Sequence, residues 1–336
     1  MMGDARPVVV VGANGLCGSR LVARLSRTRR VIAVGRGSPR GQIAALLEQD
    51  QRAGEAIGSA PLLPIGQRQE APEQGLHAGV EYLPLDLALP DELRDLIATR
   101  EPEAVFHAAG LTDVDGCERD PQLAWLLNVR SFEAAALGCR EAGARLIALS
   151  TDYVFDGEAG PYTETAVPNP RGVYARSKRA GEEAALLLAG DVAVCRVAVV
   201  FSGVPGSRQT FVDSTLGALR AGRKVKAFHD QLVSPTLADD AAQSCLAVWR
   251  SGQGGVWHCS GGEVVSRVEF CGKLARRIGA PESLIEPVSL ASLKLAAPRP
   301  LRCGLLVDKL RGLGVQPLTV DQAIDGFLRE RGEAAA

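Results

Sequence analysis

The feature that most restricts this chain is a glycine-rich turn near its start. Four valines, Val8–Val11, run directly into Gly12-Ala13-Asn14-Gly15-Leu16-Cys17-Gly18, and a helix-forming stretch follows. A continuous β-branched run reads as a strand buried on both faces. Glycines between a strand and a helix permit tight backbone conformations and let a pyrophosphate reach the N–H groups at the helix start. The spacing is GxxGxxG rather than GxGxxG, but the strand-to-helix context is the one such a motif needs. Gly12, Asn14, Gly15, Leu16, Cys17 and Gly18 are therefore read as dinucleotide contacts.

The same alternation continues. Apolar runs at Val31–Val34, Val80–Leu83, Ala104–His107, Leu146–Ser150 and Val192–Val200 are expected to be strands. Helical patterns lie at Gly18–Ser26, Asp91–Thr99, Pro121–Ala142 and Tyr174–Leu188. Strand and helix repeated in this way predict an α/β fold, a doubly wound parallel Rossmann sheet with right-handed crossovers. Residues 1–200 are assigned to this nucleotide-binding domain. Residues 201–331, with short helices, an isolated strand at Gly255–Cys259 and loops, are assigned to a smaller C-terminal α/β region that binds substrate at the sheet edge. Residues 38–79 form a variable insertion rich in Gln, Glu, Ala, Gly and Pro. Within it Gln42–Ala53 suits a helix, and Pro61–Gly75 a mobile surface loop. The tail Gly332–Ala336 is expected to be disordered.

Composition removes several function classes. Lysine plus arginine (38) nearly balances aspartate plus glutamate (39), a net charge of −1, which argues against a nucleic-acid binder. No apolar run approaches the roughly 18 residues that a membrane helix needs, and no secretory signal pattern is visible at the start. The eight cysteines form no CxxC pair and sit mostly in apolar segments. They read as reduced, buried thiols of a cytoplasmic protein, and no residue is assigned to a metal, whose binding is left open.

The second strand ends in Gly35-Arg36, 18 residues beyond Gly18. An acidic residue there suits the ribose hydroxyl of NAD, whereas an arginine suits the 2′-phosphate of NADP. NADP(H) is the expected cofactor, with NAD(H) left open. Asp86 and Leu87 follow the third strand as adenine-side contacts. Ala108-Ala109-Gly110 follows the fourth, where small residues let the cofactor ribose lie close. Thr112 and Asn128 complete this set. For Asn128 two roles stay open, support of a proton path and a polar core residue.

The catalytic candidates follow the fifth strand. It ends in Ser150-Thr151-Asp152, and 23 residues past Thr151 comes Tyr174-Ala175-Arg176-Ser177-Lys178. Four residues is about one helical turn, so Tyr174 and Lys178 share a face. Hydride delivery to a ketone creates an alkoxide that needs a proton donor and a hydrogen-bonding clamp. Tyrosine titrates near 10; an ammonium about 4 Å away is worth up to about 4 kcal/mol, or roughly three pKa units at most. Thr151 is assigned to hold the substrate oxygen, Tyr174 to exchange the proton, and Lys178 to lower Tyr174 and hold the nicotinamide ribose.

At this point the sequence resembles the dTDP-4-dehydrorhamnose reductases. The residues that carry the likeness are Ser150-Thr151-Asp152-Tyr153-Val154-Phe155-Asp156-Gly157, Pro161-Tyr162 with Glu164, and Tyr174 to Lys178 with Gly181-Glu182. Thr112, Val114-Asp115 and Glu118 match the stretch after the fourth strand, Asp230-Gln231 with Pro235-Thr236 a substrate-domain motif, and Arg299-Pro300 a C-terminal one. The resemblance implies reduction of the 4-keto group of a dTDP-linked 6-deoxyhexose by NADPH or NADH. It implies Thr151, Tyr174 and Lys178 as the catalytic set, with substrate contacts from Thr112, Val114, Thr151, Asp152, Phe155, Val199, Gln231 and Arg299. The chain departs from the family at Val199, where a tryptophan is usual, and at Arg302-Cys303, where Asn-Ser is usual. These changes fall on the sugar side and leave open which deoxysugar is reduced. A homodimer is an open option for assembly.

Two other readings compete. One is a non-catalytic NADP-binding regulatory subunit, like the β subunit of methionine adenosyltransferase. The other is a nucleotide-sugar epimerase or dehydratase; the dehydratase is weakened because Thr151-Asp152 is followed by Tyr153 and not by Glu.

Overall fold

The computed structural model describes residues 6–37, 43, 46, 47, 75–77 and 79–333. The N-terminal part comprises β1 (Val8–Val11), α1 (Leu16–Leu25), β2 (Val31–Gly35), β3 (Gly75–His77), β4 (Val80–Pro84), α2 (Pro90–Arg100) and β5 (Ala104–His107). It continues through α3 (Val114–Arg119), α4 (Pro121–Trp125), α5 (Ser131–Ala142), β6 (Arg145–Thr151), α6 (Gly172–Leu188) and β7 (Asp191–Val197).

Every residue of β1, β2, β5 and β6 is buried, as unbroken apolar strands between two helical layers must be. Side chains alternate between the two cores. Val8 and Val10 pack with α1 residues Leu21 and Leu25, while Val9 and Val11 pack with Leu93 and Ile97 of α2. All pairings in the sheet are parallel except β3 with β4, which is antiparallel at the edge.

The rest comprises β8 (Val200–Phe201), α7 (Phe211–Arg220), β9 (Val225–Phe228), β10 (Leu232–Val233), β11 (Thr236–Leu237), α8 (Ala238–Ser251) and β12 (Gly255–His258). Beyond these come β13 (Val265–Ser266), α9 (Arg267–Arg277), β14 (Ile285–Val288), α10 (Asp308–Arg311) and α11 (Val320–Glu330). The strand order of the main sheet is β12-β7-β6-β5-β1-β2-β4-β3. No helix among the described residues is long and apolar enough to cross a membrane.

The structure changes three expectations. The strand expected over Val192–Val200 ends at Val197, because the chain leaves the sheet there to pair β8 with β11. Val199 adopts φ +44° at that exit, a conformation that is costly for a β-branched residue. The helix expected over Pro121–Ala142 is interrupted by a π-helical turn, Leu126–Arg130, which carries Asn128. The strand at Gly255–Cys259 is not isolated, since β12 pairs in parallel with β7 and extends the main sheet.

Helix α8 also packs on α1, with Arg24 and Asp239 forming an ion pair at 2.5 Å. The boundary at residue 200 therefore divides the sequence but not the layers. Most of the Gln42–Ala53 helix lies outside the described residues; Ile43, Leu46 and Leu47 are helical and buried against the α1 core. Apart from Gly75, in β3, the expected loop Pro61–Gly75 lies outside the described residues, as do residues 334–336 of the tail.

Candidate active site

The carboxyl end of β6 presents Thr151, whose Oγ1 donates to Asp152 Oδ1 (3.1 Å) and accepts from the Tyr153 N–H (3.2 Å). Helix α6 brings Tyr174 and Lys178 to the same place, and both side chains are buried. Three contacts fix that helix. Glu118 accepts the Val173 N–H at 2.7 Å. Asn128 Nδ2 donates to Ser177 Oγ at 3.0 Å, and that hydroxyl donates to the Tyr174 carbonyl. A Cβ on Gly181 would lie 2.2 Å from the Asn128 carbonyl, so only glycine lets α6 sit this close to the π-helical turn.

Asn128 has little capacity left. Its Oδ1 accepts the Leu111 N–H (2.8 Å), and its Nδ2 also donates to the Leu111 carbonyl (3.1 Å). It clips the segment after β5 to α6.

Burial sets the electrostatics. It pushes the Tyr174 hydroxyl well above its ordinary range, opposed by a hydrogen bond with Thr151. It pushes Lys178 down to about 8, opposed by the charge of Glu182. Lys178 Nζ donates to the Leu149 carbonyl (2.9 Å) and lies 4.3 Å from the centre of the Phe132 ring. Burial is the largest influence on Tyr174, and Asp152, Tyr153 and Cys117 act in the same direction. A protonated tyrosine is the donor that carbonyl reduction requires. Asp152 is raised to about 7 by burial, and its Oδ2 is enclosed without a hydrogen-bond partner. Behind this group Arg196 grips Glu182 through two bonds of 2.9 and 2.8 Å. Burial alone would raise the Glu182 carboxyl, but Arg196 holds it low.

The glycine turn fits a dinucleotide. Gly12 has φ +84°, and a Cβ there would lie 2.7 Å from the Ala109 nitrogen. A Cβ on Gly18 would meet the Gly12 carbonyl at 2.0 Å. Helix α1 starts at Leu16 with no side-chain cap at Gly15 and no acid in its first turn, which leaves N–H donors and a positive dipole end for an anion. Asn14 braces the turn, donating to Tyr82 Oη (2.7 Å) and the Arg36 carbonyl (3.3 Å). Gly35 lies under that pair, where a Cβ would come within 2.6 Å of Tyr82 Oη. Arg36 is exposed at the end of β2. Asp86 accepts the Ala88 N–H (3.0 Å), Leu87 and Ala109 pack against the α2 side of the core, and Ala108 against the α1 side. The Cys17 side chain is turned into the core. Gly110 abuts Asn128 Oδ1, with Lys178 Nζ close by.

The residues expected on the sugar side are less uniform. Val114 starts α3 and packs in a cluster with Tyr174. Thr112 Oγ1 accepts from Arg208 across the chain (2.6 Å). Arg299 pairs with Asp115 at 2.8 Å. Gln231 is buried, donating to the Pro300 carbonyl (3.3 Å) and accepting from Arg267 Nε (3.2 Å). Phe155 is shut inside the core, stacked 4.1 Å from Tyr162 with Arg196 above it, so it offers a ligand no open face. Cys303 packs behind Asp152, its thiol donating to the carbonyls of Asp152 and Phe155.

Sequence reasoning missed the helix-positioning roles of Ser177 and Glu118, the Glu182–Arg196 pair and Arg267. The cysteines are buried as expected, yet Cys195, Cys245 and Cys259 are gathered with their sulfur atoms within 4.8 Å of one another.

A family model for the RmlD substrate binding domain matches residues 6–331. The chain belongs to this family. Within it, a dTDP-4-dehydrorhamnose reductase from Mycobacterium tuberculosis is 38% identical over 226 residues, 65% of this chain and 73% of the relative. The methionine adenosyltransferase 2 subunit beta of Xenopus tropicalis is 32% identical over 229 residues, 66% of this chain and 68% of the relative. In three dimensions the RmlD-type fold is matched by the dTDP-4-dehydrorhamnose reductase of Bacillus anthracis in complex with NADP, with a TM-score of 0.75 at 22% identity, covering 97% of this chain and 100% of the other.

Proposed function

We propose that this chain is an NADPH-dependent oxidoreductase that reduces the 4-keto group of a dTDP-linked 6-deoxysugar. The observation that carries the reading is the convergence of Thr151, Tyr174 and Lys178 on one buried site at the end of β6. That site lies beside a glycine turn built for a dinucleotide. A reduced nicotinamide bound there supplies the hydride.

The chain's own residues do the rest. The α1 N-terminus and Gly12, Gly15 and Gly18 hold the pyrophosphate, and Arg36 suits a 2′-phosphate. Thr151 hydrogen-bonds the ketone oxygen and stabilises the charge that develops on it. Tyr174 donates its proton to that oxygen. Lys178 uses its remaining N–H bonds for the nicotinamide ribose. Asn128, Glu118 and Ser177 hold the helix that carries both residues. A cytoplasmic location and a homodimer belong to this reading as expectations.

The test is oxidation of NADPH with a panel of dTDP-4-keto-6-deoxysugars. The parent is expected to turn over at least one, and Tyr174→Phe to lose at least about 100-fold in kcat. A non-catalytic NADP-binding subunit is the second reading, supported by the match to a methionine adenosyltransferase subunit. Absence of turnover across the panel, with Tyr174→Phe indistinguishable from the parent and a stable protein partner co-purifying, would transfer the assignment to it.

A further inference from the structure

A free thiol in a core usually serves as a small apolar filler. Cys195, Cys245 and Cys259 are placed differently. All three are fully buried, and their sulfur atoms lie within 4.8 Å of one another. The sheet order brings them together. Cys195 on β7 pairs with Trp257 on β12, and Cys259 follows two residues later, so strand alternation puts both thiols on one face. The Cys259 N–H donates to the Arg196 carbonyl (2.8 Å), which carries the ladder one step past β12. Helix α8 covers that face and supplies Cys245.

The spacing suits a metal ion. Three sulfur atoms bonded to one ion at about 2.3 Å stand about 4 Å apart, so these thiols need to move little to share one. The gap between the sulfur atoms is itself the seat, and no larger cavity is required. Strand β12 is the outermost strand on its side of the sheet, so local opening of this edge admits an ion while the core stays folded. Two cations act on the group. The Cys195 thiol is drawn below its ordinary range, first by hydrogen bonding from Cys245 and Cys259 and then by Arg145 and Lys309. Arg145 is buried, and its Nε is enclosed without a hydrogen-bond partner. Lys309 Nζ donates to the Val256 carbonyl of β12 (2.7 Å) and lies 3.9 Å from the centre of the Trp257 ring.

We propose that Cys195, Cys245 and Cys259 form a structural site for a soft monovalent metal ion, cuprous copper, which ties β12 and α8 to β7. The site is independent of the function proposed above. Thiolate sulfur selects soft ions. Zinc in a structural site takes four ligands in a tetrahedron, and among the described residues no histidine, carboxylate or further cysteine joins the three. Their neighbours Ala241, Ala242, Leu246 and Leu310 are apolar and buried, which suits a three-ligand ion better than one that completes its shell with water. On binding, three S–H protons pass to solvent and three sulfur–copper bonds form. Copper stays monovalent, so no electrons are exchanged. The complex carries excess negative charge, which Arg145 and Lys309 offset.

The test is an anaerobic titration of the reduced full chain with Cu+ held by bicinchoninate, whose colour reports the copper withdrawn. The parent is expected to withdraw one equivalent and to melt at a higher temperature with copper than without it. Cys245→Ala and Cys259→Ala are each expected to bind Cu+ at least about 100-fold more weakly, since losing a ligand costs more than losing an outer-shell partner, and to lose the melting shift. Cys139→Ala, at a buried thiol of the other core, is expected to match the parent. Zn2+ is expected to leave the melting temperature unchanged. Far-ultraviolet circular dichroism checks that the variants fold, and either cluster variant alone suffices for the comparison. A parent that withdraws no copper overturns the proposal, as does parental affinity in the folded cluster variants or an equal loss in Cys139→Ala. An equal melting shift with Zn2+ overturns the choice of a monovalent ion.

Discussion

The two sides of the active-site cleft are built differently. On the cofactor side, functional residues sit in the turn between β1 and α1, at the end of β6 and on α6, all anchored by buried elements. On the sugar side, Thr112, Val199, Gln231 and Arg299 sit on connecting segments, and many polar groups are used up on one another. Arg299 is taken by Asp115, Gln231 by Pro300 and Arg267, and Thr112 by Arg208. A scaffold of continuous buried strands tolerates little change, whereas the partly exposed pairs Arg299–Asp115 and Arg208–Thr112 can be exchanged with small effects on stability. That difference suits a fold in which one chemistry serves many sugars.

The comparison can be broken most forcefully at the buried pair behind α6. Glu182→Gln should cost about 3–5 kcal/mol of unfolding free energy in a urea titration, because it leaves Arg196 charged and only partly compensated in the core. A loss below about 1 kcal/mol would mean that the catalytic side is no more rigid than the sugar side.

Next comes Lys178→Met, expected to lower kcat by about 100-fold, within the usual range for a proton-transfer apparatus. Its pH dependence has a definite sign. Burial lowers Lys178 from 10.5 to about 8, so between those values the folded chain binds fewer protons than the unfolded one. Stability therefore rises with pH across that window through this group. The Met variant should lack the rise in a series of thermal melts, and the parent's reduction rate should fall above about pH 8 as the ammonium is lost.

Smaller effects are expected from the sugar side. Val199→Gly removes the strain at φ +44° and should stabilise the chain by about 1 kcal/mol, read as a higher denaturation midpoint. Destabilisation would show that the Val199 side chain packs well enough to outweigh its backbone. Asp115→Asn frees Arg299 from a pair only partly shielded from water, and should cost about 1 kcal/mol or less. Its larger consequence should be a changed KM across a panel of sugars, with kcat little altered.

Legibility followed the same division. Val8–Val11 with Gly12, Gly15 and Gly18 revealed the nucleotide turn because local sterics dictate what glycine does there. Tyr174 and Lys178 were readable as neighbours because the helix repeat puts them on one face. Sequence distance hid Glu182–Arg196 and Cys195–Cys245–Cys259, whose members meet only through the sheet order. Phe155 matched a family motif, yet local pattern could not show that Tyr162 and Arg196 enclose it. Val199 ended a strand that apolar content alone would have continued.

By itself the sequence determined the doubly wound core, the glycine turn and the Thr151–Tyr174–Lys178 set. Each of these follows from local periodicity and short-range sterics. Only the tertiary structure decided how deeply Tyr174 and Lys178 are buried. It alone completed the sheet with β12 and set Arg267 between Gln231 and Phe211. Desolvation and pairing depend on what surrounds a group in three dimensions, and the chain brings those surroundings from residues far apart in its order.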